Sequence, residues 1–201
     1  MKFFRQFMGA PVGYCYWNPA DKTTAGSLTN NNLTLTVNSA SQVGARANVS
    51  KTSGKWYWEI TLDDYRNSGG NTNFSMGVVV AATNMSSVSI GSTANTAGLF
   101  NIVGASYQSG NGASTSEVST VAPATFDVFG ILLDCDSNTI TVRKNNVNLS
   151  GVKTLATSAG TPLFPAIAMI TYPSEPLKMT TNFGASAFVY TVPSGYSPIT
   201  I

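Results

Sequence analysis

Apolar residues in this chain recur at every second position, not at the spacing of a helix face. Over Lys55–Asp63, Trp56, Trp58, Ile60 and Leu62 face one way, and Tyr57, Glu59, Thr61 and Asp63 face the other. Leu33, Leu35 and Val37 alternate with Thr34 and Thr36, and Ile140 and Val142 alternate with Thr139, Thr141 and Arg143. No segment of ten or more residues keeps a helical period without a Gly, Pro or β-branched interruption. A chain patterned this way buries its apolar faces by layering antiparallel sheets.

Three runs, Met76–Ala82, Phe126–Cys135 and Leu163–Ile170, are apolar on both faces. Such a strand is covered twice. One cover is the opposing sheet, and the other is a loop, the N-terminal segment or another chain. Ser137-Asn138 and Asn145-Asn146 sit where tight hairpins need positive φ, which asparagine tolerates. Asn30-Asn31-Asn32 and Ser68-Gly69-Gly70-Asn71 read as loops, and Ala105–Ala122 as a long loop or a weak edge hairpin.

The 201 residues show no internal repeat and no linker that would split the body, so residues 13–201 read as one domain. Residues 1–12 differ. They hold Lys2, Arg5, Phe3, Phe4 and Phe7, and run through Gly9-Ala10-Pro11. This segment reads as a frayed terminus or as an arm whose aromatics dock on a neighbouring subunit or on the body.

Composition narrows the chemistry. Charged residues are 10% of the chain, against a usual ~25%. Ser, Thr and Asn together supply 65 of the 201 residues, so the surface is solvated by hydroxyls and amides. Nine basic and nine acidic residues remain once Lys2 and Arg5 are set aside, which argues against nucleic acid as a ligand. The chain has no histidine, excluding a Ser-His-Asp triad, a Cys-His pair and histidine-ligated zinc. Cys15 and Cys135 read as reduced, buried thiols. No apolar stretch reaches the roughly 18 residues of a membrane helix, and Arg5 and Gln6 break up the only apolar cluster of a would-be signal peptide. Synthesis in a cytoplasm, without a signal peptide or a membrane span, is expected.

Six stretches in order resemble the SPRY domain, a β-sandwich interaction module. They are Gly54–Ile60, Met76–Val79, Asp127–Asp136, Asn138–Val147, Leu163–Ile167 and Thr181–Phe188. Trp56 and Trp58 stand in them as core anchors, and Asn146 stands where the family usually has the glycine of a Lys-Asn-Gly turn. Asn84–Val121 matches poorly. The resemblance extends to SPRY-like domains of bacteriophage virion proteins, which share the ion-poor surface, an opening like Trp17–Lys22 and a tail like Val189–Tyr196. It implies an all-β, antiparallel β-sandwich of the concanavalin-like jelly-roll kind with about 12–14 strands. It also implies a binding module without catalytic residues.

The acidic clusters agree with that. Asp63-Asp64 projects to opposite faces of a strand and cannot flank one glycosidic bond. Asp134-Cys135-Asp136-Ser137-Asn138 opens like a calcium loop but lacks its glycine and distal glutamate, so these carboxylates read as turn caps. No catalytic residue, metal or cofactor is expected. The candidate partner-binding residues are Phe3, Phe4, Arg5 and Phe7 of the arm, with Tyr65, Arg66, Asn71, Asn73, Tyr107 and Asn111 in or beside Gly/Ser-rich loops. The expected function is a structural or interaction protein of a phage particle: a capsid-decorating, tail or fibre-associated subunit, in a homo-oligomer or symmetric assembly with other virion proteins. The alternative is an adhesin for a host-surface glycan or receptor, with Tyr107, Asn111 and Arg66 as its site.

Overall fold

The computed structural model describes residues 13–38, 40–66, 72–102, 106–112, 115–119, 122–149, 151–171 and 175–200, with 101–102, 106–109 and 115–119 described through their backbone. The arm residues Phe3, Phe4, Arg5 and Phe7, and the loop residue Asn71, lie outside them.

Among the described residues, sixteen strands, numbered in chain order, form two sheets. The seven-stranded sheet runs, in spatial order, β1 (Trp17–Lys22), β4 (Val43–Ala47), β14 (Phe164–Ile170), β6 (Asn73–Val79), β7 (Thr96–Ile102), β8 (Ser106–Gly110) and β9 (Thr115–Ser119). The nine-stranded sheet runs β12 (Val147–Asn148), β11 (Thr139–Lys144), β10 (Val128–Asp134), β5 (Lys55–Asp64), β15 (Leu177–Asn182), β3 (Thr34–Val37) and β2 (Ser27–Thr29). Beside that path, β13 (Lys153–Thr154) pairs with β11, and β16 (Ser197–Pro198) pairs in parallel with β5. Every other pairing is antiparallel. The sandwich expected from period-two alternation is therefore present, and Ala105–Ala122 contributes an edge hairpin, β8–β9.

Alternate residues of the central strands fill the space between the sheets. Trp58, Ile60 and Leu62 of β5 join Phe129, Ile131 and Leu133 of β10 against Phe74, Met76 and Val78 of β6 and Ile167 and Met169 of β14. Each such side chain contributes about 1.5–3 kcal/mol on burial. Trp17 meets Phe183 edge-on, with ring centroids 5.1 Å apart. Gly77 and Gly98 face each other across β6 and β7, where a Cβ on Gly77 would stand 2.1 Å from the Ala97 carbonyl oxygen. The close backbone approach there requires glycine.

Two of the doubly apolar runs, Met76–Ala82 and Leu163–Ile170, find a second cover within the chain. On the seven-stranded sheet, Met85, Val88 and Ile90 of the β6–β7 connection pack on Val79, Ala166 and Ala168. On the nine-stranded sheet, the closing residues lie over β5: the Phe188 ring meets Tyr57 edge-on at 5.0 Å. Glu59, expected on a polar face, is only 2% exposed. Its carboxylate accepts hydrogen bonds from the Val189 N–H (2.7 Å), the Tyr190 N–H (2.9 Å) and the Tyr57 hydroxyl (2.9 Å). A buried carboxylate with three donors is satisfied rather than solvated.

Trp56 is a rim residue rather than a full core anchor: its ring is half-buried, the Lys51 ammonium sits 3.8 Å from the ring centroid, and its Nε1–H donates to the Ser53 carbonyl. Asn138, Asn145 and Asn146 hold φ of 54°, 49° and 66°, as the hairpin turns demand. Cys15 and Cys135 are unbonded and buried.

Candidate functional site

The registers sort the connections onto two ends of the sandwich. β5 runs antiparallel to β10 and β15, and β6 runs antiparallel to β14 and β7. One end therefore collects the β3–β4, β5–β6, β9–β10, β11–β12 and β14–β15 connections. The other collects the β2–β3, β4–β5, β8–β9 and β10–β11 connections and the closing segment.

The first end holds three of the expected binding residues. Tyr65 follows β5; its ring lies edge-on to Phe74 at 6.0 Å, and its N–H donates to the Thr125 hydroxyl at 3.2 Å. Arg66 is exposed and donates to both carboxylate oxygens of Asp64, at 3.2 and 3.3 Å. Asn73 opens β6 opposite Ile170, and its Oδ1 is buried with no donor among the described residues. Asn73 lines a cavity of about 220 Å³ with Gln42, Ser75, Ser89 and Ile170. Gln42 is fixed there by donating its amide to the Val88 carbonyl. Beneath it, the Thr72 and Thr171 hydroxyls stand 3.0 Å apart, and Thr72 reaches the Glu175 carboxylate at 3.4 Å. Tyr107 enters this sheet through β8.

Asn111 is elsewhere. It lies at the opposite end, where its side-chain amide donates to the Thr154 carbonyl at 3.0 Å. Arg66 and Asn111 are thus separated by the length of the sandwich and do not form one sugar site.

Phe126 is a further residue that the sequence pattern misplaces. It was expected to begin a doubly apolar strand, but β10 starts at Val128 and Phe126 is 75% exposed. Its φ is +73°, a left-handed conformation that costs a bulky L-residue roughly 1–2 kcal/mol. The loop around it holds that conformation in place. The Phe126 N–H donates to the Leu62 carbonyl at 2.7 Å, and the Leu62 N–H to the Asp127 carbonyl at 2.9 Å. Asp127 accepts from the Ala124 N–H and the Asn145 amide, both at 2.8 Å, and pairs with the Lys144 ammonium at 2.8 Å. Lys144 also donates to the Ala122 carbonyl at 3.0 Å. Both side chains of the ion pair are about nine-tenths buried (11% and 8% exposed). Strain persists where the surroundings over-determine it, and such places concentrate at binding sites. The available signal was the bracketing of Phe126 by Pro123 and Asp127, turn residues that end the preceding loop.

The remaining acidic and thiol groups serve structure. Asp134 caps the β10–β11 turn by accepting from the Asp136 and Ser137 N–H groups, and it pairs with Lys55 at 2.9 Å. Burial pushes its carboxyl up, but the bonds from Ser137 and Lys55 outweigh that and hold it below the ordinary range. Asp63 accepts from the Thr180 hydroxyl at 2.6 Å. Burial first, then Asp136 and Asp134, pushes the Cys135 thiol up to about 11, and burial pushes Cys15 higher still. Thiols in that state are poor nucleophiles.

The family model of the SPRY domain matches residues 55–186. The SPRY domain of human HERC1 superposes with a TM-score of 0.55 at 19% identity, over 85% of this chain and 99% of that one. The PSpry domain of TRIM65 gives 0.60 at 15% identity, over 84% and 92%. Stonustoxin gives 0.58 at 16% identity, over 84% of this chain and 27% of that one. No curated protein matches the chain. At these identities the superpositions establish the fold, while the family model covers well over half of the sequence. The chain belongs to the SPRY domain family.

Proposed function

We propose that this protein is a non-enzymatic subunit of a bacteriophage particle, made in the host cytoplasm, that docks onto other particle proteins through the end of the sandwich bearing Phe126. SPRY domains are generally protein–protein interaction modules rather than enzymes. The observation that carries the reading is Phe126 itself: a large aromatic, 75% exposed, held at φ +73° by a buried ion pair. A rigid aromatic loses little entropy on docking and fills a partner's pocket, which is how interface hot spots work. Val147, 69% exposed at the β11–β12 turn, lies at the same end. On the other sheet the Asn73 cavity offers a buried acceptor for a partner's donor. The low charge of the chain fits contacts made by shape rather than by ionic steering. Phe3, Phe4, Arg5 and Phe7 supply a second contact to a neighbouring copy or subunit, and repetition in a symmetric assembly adds avidity. The phage context rests on the resemblance of the Trp17–Lys22 opening and the Val189–Tyr196 tail.

The test is incorporation. Particles purified on a density gradient are expected to contain the wild-type chain and to lose most of it in the Phe126→Gly variant, while that variant stays folded. Absence of the wild-type chain from the particles, or full incorporation of the folded variant, would refute the reading.

A further inference from the structure

The opposite end of the sandwich holds a cavity of about 450 Å³, lined by Tyr14, Tyr16, Pro19, Asn31, Asn32 and Leu33 among others. Its backbone is firmly set. The Trp17 N–H donates to the Asn32 carbonyl and the Leu33 N–H to the Asn30 carbonyl, each at 3.0 Å, and the Tyr16 N–H donates to the Asn48 side chain at 2.8 Å. Asn30, Asn31 and Asn32 hold three successive left-handed φ values, 52°, 53° and 63°. That run turns the chain tightly and brings Asn31 and Asn32 to the cavity wall.

The lining chemistry is specific. Among the described residues it contains no charged side chain. The phenol groups of Tyr14 and Tyr16 and the side-chain amides of Asn31 and Asn32 make no hydrogen bond to any described residue. Two aromatic rings and two amides, each amide able to donate and accept, thus surround an otherwise apolar hollow. The volume falls within the range of small-molecule sites, roughly 300–1,000 Å³. A sugar ring offers what this wall lacks: C–H faces for the tyrosine rings, and hydroxyls that donate and accept at once. An acidic sugar would find no counter-charge.

We propose that this cavity is a binding site for a neutral saccharide of one or two rings. It is distinct from the residue set Arg66, Tyr107 and Asn111 and independent of docking through Phe126.

Titration of the full-length, isotope-labelled chain with glucose, galactose, N-acetylglucosamine and maltose, followed by amide NMR, tests it. At least one sugar is expected to give saturable shifts centred on Tyr14, Tyr16 and Asn31–Leu33. Asn32→Gly and Tyr16→Phe, which leave the backbone conformation free to persist, should each weaken binding by about tenfold. Phe126→Gly should leave the affinity unchanged, so loss of particle docking and loss of sugar binding are separable results. Three results would overturn the proposal: no saturable shift with any of the four sugars, shifts that survive both cavity substitutions, or contacts from Phe3, Phe4 or Phe7 to Tyr14 and Leu33 that persist at saturating sugar.

Discussion

Phe126 and Asn31 both hold left-handed backbone, one at each end of the sandwich, and they do so on different terms. Asparagine visits that region readily, because its short polar side chain can hydrogen-bond the local backbone, so the Asn30–Asn32 turn forms from local preference. Phenylalanine has no such preference. Its conformation is imposed by Asp127, Lys144 and Asn145, brought together from the residue before β10, the end of β11 and the β11–β12 turn. The ends differ in their ion pairs too. Lys144–Asp127 is buried on both sides, whereas Lys55 of the Lys55–Asp134 pair is 41% exposed. One end spends tertiary structure on presenting a single apolar knob, and the other shapes a neutral hollow from residues that already favour the turn.

The largest effect should come from cutting the brace. Lys144→Met leaves Asp127 buried without its cation and is expected to cost about 3 kcal/mol, read as a lowered urea midpoint. Lys55→Met at the other end should cost clearly less, because its partner keeps the turn N–H groups and its own ammonium is in water. Equal losses would mean that the two ends are not differently braced. Next comes Phe126→Gly, which removes the left-handed penalty and should raise stability by about 1 kcal/mol in calorimetry, net of the extra freedom glycine has when unfolded. A loss of stability would show that Phe126 packs within its own chain.

Acid should act on the turn that Asp134 caps. Asp134 is held below its ordinary value of 3.8, so its contribution is fully present above that pH and is lost as pH falls through the lower folded value. Lys55→Met should flatten this acid limb of a stability–pH curve, and an unchanged slope would count against the pairing. The smallest effect expected is that of Asn31→Gly, less than about 0.5 kcal/mol, because asparagine already tolerates the conformation.

The alternation of β5, the asparagine turns and the interior pairing of Trp58 with its neighbours are legible in the sequence because each depends on residues within a few positions. The burial of Glu59 is not, because its donors at Val189 and Tyr190 lie 130 and 131 residues away. Tyr65, Arg66 and Asn73 stand at one end as their shared connection requires, but Asn111 follows the far end of β8 and there donates to Thr154 of β13, 43 residues away. Phe126 looks like the first residue of a hydrophobic strand. Only the ion pair closing the loop beneath it, formed by side chains 17 residues apart, turns it outward. Tyr16, Asn31 and Asn32 come from two separate segments and become a cavity only once β1 and the β2–β3 turn are joined by the Trp17–Asn32 hydrogen bond.

Photo-crosslinking within assembled particles tests the docking role most directly. With a photoreactive phenylalanine analogue at position 126 in one preparation and at position 31 in another, illumination should yield an adduct to a different particle protein from position 126 alone, identified by the peptide it carries. Adducts from position 31 alone, or none from position 126 in particles shown to hold the protein, would contradict it.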